Sequence, residues 1–313
     1  MENIWMYVLF ALGIVFVVKG GDIFVDAAVW IADALGVPKF IVGATIVSLA
    51  TTLPELLVSA FAAAEGKVDM AAGNAIGSVT ANVGLIMAIS ILFMPMAIER
   101  KKFNVKTVLL LLAVASIGFL TSNGSLSLWE SFLLFVIFGV FIYENIKSAK
   151  GEGESAEKAE VTTREKIKNV LFLILGTAGI VAGSQLMVDN GSAIAASLGV
   201  PENIIALTAI AIGTSLPELV TTISAIVKKE PSLSIGNIIG AYIIDMAMFL
   251  PVCAFVSGGT LPVAAQTYQL DVPVCFAVCA VALIPALISK RFRRWQGAVL
   301  LAIYGGYLVY MMF

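Results

Sequence analysis

The 313-residue chain is 60% apolar and 13% charged, with a mean hydropathy of +1.00. A soluble domain carries about a quarter charged residues, so the composition excludes one and points to the lipid bilayer. A net charge of −2 and a pI near 5.3 leave no basic footprint for nucleic acid.

In chain order, apolar runs predict spans near 3–33, 39–64, 70–97, 104–121 and 127–146. Five more follow near 166–196, 201–227, 232–257, 270–289 and 295–312. The runs are continuous rather than alternating, which predicts helices and not a barrel. Residues 4–18 lack a basic leader and an A-x-A site, so they read as a first span rather than a removable signal. The first and sixth spans are long, and tilting or bending is expected near Gly20-Gly21 and Gly183. Between the halves, "KSAKGEGESAEKAEVTTREKIK" is polar, carries both charge signs and has no hydrophobic period. It reads as a flexible linker over 147–168, separating repeats at 1–146 and 169–313.

The halves are copies. Glu218 follows Glu55 by 163 residues, as Asn237 follows Asn74 and Asp245 follows Asn82. The same offset relates Val25-Asp26 to Val188-Asp189 and Gly36-Val37-Pro38 to Gly199-Val200-Pro201. Lys and Arg gather on alternate connections: Lys39, Arg100 to Lys106, the linker, Lys228-Lys229 and Lys290 to Arg294. The positive-inside rule then puts the linker in the cytoplasm and both termini outside. An odd number of spans per half turns the second half over. An all-α chain of about ten transmembrane helices in two inverted five-helix repeats is the expected fold, with a site at the midplane.

The phrase "ATTLPELLVSA" at 50–60 returns as "GTSLPELVTTI" at 213–223. Pro54 has no N–H for the Ala50 carbonyl, and Pro217 likewise releases that of Gly213. Non-helical backbone is therefore expected at both prolines, with oxygens aimed inward alongside the hydroxyls of Thr51, Thr52, Thr214 and Ser215. Glu55 and Glu218 would converge near the bilayer centre, where a divalent cation would neutralise both. Carboxylates with carbonyls and hydroxyls suit Ca²⁺. The plainer alternative is a proline-kinked helix whose glutamate bonds a neighbour.

Asn74, Ser78 and Asn82 form a polar stripe, matched by Asn237, Ala241 and Asp245. Gly73, Gly77, Gly236 and Gly240 would let helices approach closely. The two asparagines suit either ligation or hydrogen bonding between helices, whereas a third buried acid, Asp245, reads as a ligand or proton carrier. Cys253, Cys275 and Cys279 read as small buried hydrophobes, and Asp22, Asp26 and Asp189 lie outside the expected site.

These paired motifs, "GATIVSLATTLPE" with "GNAIGSVTANVG" and "ALTAIAIGTSLPE" with "GNIIGAYIID", resemble the calcium/cation antiporter superfamily, in particular prokaryotic sodium/calcium exchangers. The resemblance implies exchange of Ca²⁺ for Na⁺ by alternating access across the cytoplasmic membrane, with no enzymatic activity, no cofactor and a functional monomer. It implies Glu55 and Glu218 as calcium-binding carboxylates, joined by the carbonyls of Thr51 and Thr214. Ser48, Thr52, Ser78, Asn82, Ala211, Ser215 and Asp245 fall at sodium- or water-binding positions. The first and sixth helices would slide as the gate. The family's usual Gly-Ser-Asn is Gly240-Ala241-Tyr242 here, which removes a hydroxyl and makes the coupling ion the open question. Proton/divalent-cation exchange is the alternative within the class. A passive channel or an intramembrane hydrolase fits the single inverted pair of acids and the absence of histidine less well.

Overall fold

In a computed structural model, which describes residues 2–93, 97–153, 162–199 and 202–312, almost every residue is helical. In lipid the main chain must satisfy its own N–H and C=O groups, and apolar runs of this length do so by coiling. Helix α1 (Glu2–Leu35) is followed by α2 (Lys39–Val42), which passes through a π-helical turn (Gly43–Val47) into α3 (Ser48–Ala64). Next, α4 (Val68–Ala81) passes through a π turn (Asn82–Met87) into α5 (Ala88–Phe93), before α6 (Arg100–Leu120) and α7 (Leu128–Gly153). The second half holds α8 (Thr163–Ser197), α9 (Glu202–Val227), α10 (Pro231–Ile244), a π turn (Asp245–Phe249) and α11 (Leu250–Val256). A further π turn (Thr267–Asp271) leads into α12 (Val272–Ser289), and α13 (Arg294–Met312) follows. Strands β1 (Ser125–Ser127) and β2 (Thr260–Pro262) pair antiparallel, with Leu126 opposite Leu261.

Among the described residues, seven helices are long and apolar enough to cross a bilayer, and the bent pair Lys39–Leu53 and Glu55–Ala64 makes an eighth. Helices α9 and α13 occupy the stretches expected as seventh and tenth spans but are not among those eight. The stretch 147–168 is partly helical: α7 runs on to Gly153 and α8 begins at Thr163. A reciprocal cap starts α8, with Glu165 N–H donating to Thr162 Oγ1 and Thr162 N–H donating to Glu165 Oε2. Residues 154–161 of the expected linker lie outside the described residues.

The chain packs as two compact units, Met1–Thr51 with Ala149–Asn237, and Thr52–Ser148 with Ile238–Phe313. The division cuts α3, α7 and α10, so it does not follow the sequence halves.

In the first unit α1 crosses α8 through glycine. A methyl group on Gly13 would lie 2.8 Å from the Gly183 carbonyl oxygen, and one on Gly20 would lie 2.9 Å from that of Gly176. Gly176 is the copy of Gly13, and Gly183 is the copy of Gly20. Each glycine thus meets the copy of the other, the exchange of contacts that a two-fold axis produces. Helical structure continues through Gly20-Gly21 and Gly183, so these glycines serve close approach rather than interrupting the helix. Below the crossing, Phe24, Val25, Ala28 and Ala32 pack with Val42, Val47, Ile180, Ala225 and Leu233. Ion pairs tie the polar ends: Lys228 with Asp26 at 2.7 Å and Lys39 with Glu230 at 2.5 Å.

In the second unit, Pro285 sits inside α12 and cannot bond the Val281 carbonyl. The fully buried Gln296 of α13 replaces that donor, its Nε2 reaching Val281 O at 3.1 Å and Ala282 O at 2.7 Å. The most apolar windows of 71–93 and 231–256 are 72% and 83% buried, against 22% for α7 and α8. Among the seven windows, those carrying the polar stripes are the most buried, and those of α7 and α8 the least.

Candidate cation site

The expected non-helical backbone at Pro217 is not found, and at Pro54 the chain stays helical but bends by 50° between Lys39–Leu53 and Glu55–Ala64. Both prolines sit within helix, in α3 and α9. Proline deletes one donor, and the surrounding hydrogen bonds keep the coil, as the kinked-helix alternative required. Irregular backbone appears instead as π turns, one of which opens at Asn82 and another at its copy, Asp245. Such turns are rare and concentrate at functional sites.

The first unit holds Ser48, Thr51, Ser215 and Glu218, all at most 3% exposed. Ser48 Oγ donates to Thr45 O at 3.2 Å. Thr51 Oγ1 lies 3.2 Å from Ser48 O and 3.4 Å from Asn237 Oδ1, while Asn237 Nδ2 donates to Thr221 Oγ1 at 3.0 Å. The Thr51 hydroxyl faces the Glu218 carboxylate, yet neither carboxylate oxygen has a partner at hydrogen-bonding distance among the described residues. Ser215 Oγ is also without one. Ala211 and Thr214 lie on the α9 backbone, but their side chains fall outside the described residues.

The second unit holds Thr52, Glu55, Ser78, Asn82 and Asp245, all at most 5% exposed. Ser78 Oγ reaches across from α4 to Glu55 Oε1 at 3.5 Å, a long contact, and Asn74 Nδ2 donates to Ser59 Oγ at 2.8 Å. The amide of Asn82 has no hydrogen-bond partner at either end among the described residues. The π turn opened by Asp245 packs against α4, which carries Ser78.

Asn74 and Asn237 thus bond between helices, the packing alternative of their reading. Gly236 makes the close approach expected of it, since a methyl group there would meet the Phe40 carbonyl oxygen, whereas Gly73 and Gly77 have no neighbour within 4 Å of such a group among the described residues. Asp26 pairs with Lys228, and Asp189 accepts from Gln185 at 2.8 Å on an exposed face. The buried hydroxyls of Thr221, Thr222 and Ser234 lie outside the residues that sequence reasoning singles out, and the signal for Thr222 is its place one turn beyond Glu218.

Every polar atom in the two groups is a hard oxygen or an amide. A carboxylate buried in apolar surroundings demands a compensating cation or proton. Among the described residues no three His, Cys, Asp or Glu side chains gather as a metal-holding group. The donors in each group are hydroxyl, amide and carboxylate oxygens, a chemistry that suits Ca²⁺ and Na⁺ rather than softer metals.

The family model for sodium/calcium exchanger proteins matches residues 5–147 and 168–313. The chain belongs to that family. Inner membrane protein YrbG of Escherichia coli is 33% identical over 97% of this chain and 94% of its own length. Sodium/calcium exchanger MaX1 of Methanosarcina acetivorans is 29% identical over 98% of both. A structure of the sodium–calcium exchanger NCX_Mj, soaked with zero Na⁺ and Ca²⁺, is similar with a TM-score of 0.84 at 27% identity, covering 98% of this chain and 99% of that one. Another, soaked with 100 mM Na⁺ and 10 mM Sr²⁺, gives 0.82 at 26% identity over 98% of each. The family match covers both halves and breaks only across the polar stretch between them.

Proposed function

We propose that the protein is a secondary antiporter that moves Ca²⁺ against Na⁺ by alternating access in the cytoplasmic membrane. One observation carries this reading: two copies of a Leu-Pro-Glu motif, 163 residues apart, each bury a carboxylate within an apolar helix of a sodium/calcium exchanger family chain. Two such acids are costly in lipid unless the cargo neutralises them, and a divalent ion neutralises both.

In this mechanism Glu55 and Glu218 hold Ca²⁺ with the main-chain oxygens of Thr51 and Thr214. Ser48, Thr52, Ser78, Asn82, Ala211, Ser215 and Asp245 supply the sodium and water positions. Ten helices in two inverted repeats form the frame, with both termini outside and the stretch 147–168 in the cytoplasm. The exchanged glycine contacts of α1 and α8 support the inversion. The monomer is the working unit.

Radioactive Ca²⁺ uptake into proteoliposomes, under separately imposed gradients, tests this. An outward Na⁺ gradient should drive uptake, and a pH gradient alone should not. Uptake driven by the pH gradient alone, and stopped by Asp245→Asn, would replace Na⁺ with H⁺ as the coupling ion.

A further inference from the structure

The α9 face that carries Glu218 continues past it. Ser215, Glu218 and Thr222 fall at i, i+3 and i+7, one stripe on the helix. All are at most 3% exposed, and Ser215 Oγ, both Glu218 oxygens and Thr222 Oγ1 have no hydrogen-bond partner among the described residues. On α10, Ser234 precedes Asn237 by three residues, is 1% exposed, and its Oγ is likewise without a partner.

A helical Thr or Ser ordinarily returns its hydroxyl to the carbonyl four residues back. This chain does so repeatedly: Thr221 to Pro217 O at 2.9 Å, Thr80 to Ile76 O at 2.8 Å, Ser90 to Ile86 O at 2.9 Å. Thr222 and Ser234 do not take that option. The first repeat shows that the fold does not require the arrangement. There the copy of Thr222 is Ser59, which accepts from Asn74, and the copy of Ser234 is Ala71. In the second repeat the asparagine amide goes one residue aside, to Thr221, and leaves the Thr222 hydroxyl unclaimed. Buried hydroxyls in a native protein are otherwise nearly always bonded.

We infer that the hydroxyls of Thr222 and Ser234 form a cation waypoint between Glu218 and the α9–α10 turn. The inference rests on the antiporter reading. An ion moving between Glu218 and that end of α9 exchanges water for protein oxygen, and neutral hydroxyls hold it without trapping it. Passage requires binding strong enough to enter and weak enough to leave. The first repeat, with its hydroxyl bonded to asparagine, offers no counterpart, so the waypoint serves one membrane face only.

The test is Thr222→Val with Ser234→Ala, assayed for Ca²⁺/Na⁺ exchange in right-side-out and inside-out vesicles. Labelling of a Val227→Cys variant by an impermeant maleimide identifies the face onto which the α9–α10 turn opens. At that face the KM for Ca²⁺ should rise about fivefold to tenfold, while the opposite face keeps its wild-type value. Thr222→Ser should restore most of the loss. Thermal unfolding should not move down, because no hydrogen bond is lost. Unchanged KM at both faces, or equal losses at both faces with a lowered unfolding midpoint, would overturn the waypoint. Wild-type protein that exchanges no Ca²⁺ would sink the antiporter reading, and the waypoint with it.

Discussion

The hydroxyls beside the two acids are used differently in the two repeats. Glu55 has the Ser78 hydroxyl at 3.5 Å, and Ser59 is bonded by Asn74. Glu218 has neither carboxylate oxygen bonded among the described residues, Ala241 stands where Ser78 stands in the first copy, and Thr222 is idle. Where α1 crosses α8, by contrast, the two copies behave alike, each glycine meeting the other's counterpart. Duplication fixed the frame twice. The polar contacts then diverged, and a carrier that must face two solutions has reason to treat them differently.

That contrast can be broken most directly at the acids. Glu55→Gln and Glu218→Gln keep size and one oxygen but lose the charge, so each should reduce Ca²⁺ flux to that of empty vesicles while the protein still folds in detergent. Near wild-type flux in either would show that the two copies do not share one ion.

The symmetric part should answer symmetrically. Gly20→Val and Gly183→Val occupy copied positions, and each new side chain meets the opposing helix backbone. Each should lower stability by about 2–3 kcal/mol, measured by detergent unfolding, with the two values nearly equal.

Smaller effects sharpen the asymmetry. Ser78→Ala removes the hydroxyl beside Glu55 and should raise the KM for Ca²⁺ about threefold to tenfold. Ala241→Ser restores the missing hydroxyl in the second copy and should steepen the dependence of exchange on Na⁺. Steep Na⁺ dependence already present in the unmodified protein would show that Ala241 does not matter. Smallest of all, Asp26→Asn removes the exposed partner of Lys228 and should shift stability by about 0.5 kcal/mol or less.

The apolar runs and the 163-residue offset made helical membrane architecture and duplication legible, because both depend on composition and spacing alone. The acids were legible for the same reason: a carboxylate in a twenty-residue apolar run stands out. The π turns at Asn82 and Asp245 were not, since nothing in "ANVG" or "IDMA" distinguishes a π turn from an α turn. The helices through Pro54 and Pro217 escaped because one missing donor says nothing of what the neighbouring bonds will bear. Nor could spacing show that Asn237 bonds Thr221 while Asn74 bonds Ser59, a shift of one position between copies that follows from side-chain orientation.

The exchanged glycines also bear on descent. A helix surface that fits its own upside-down copy needs no second surface to be invented. On the proposed inverted layout, a half-length ancestor inserted in both orientations would have paired through this crossing, and gene fusion would have made that dimer covalent. Once fused, each copy would take substitutions independently, a freedom that the difference between Ser59 and Thr222 illustrates.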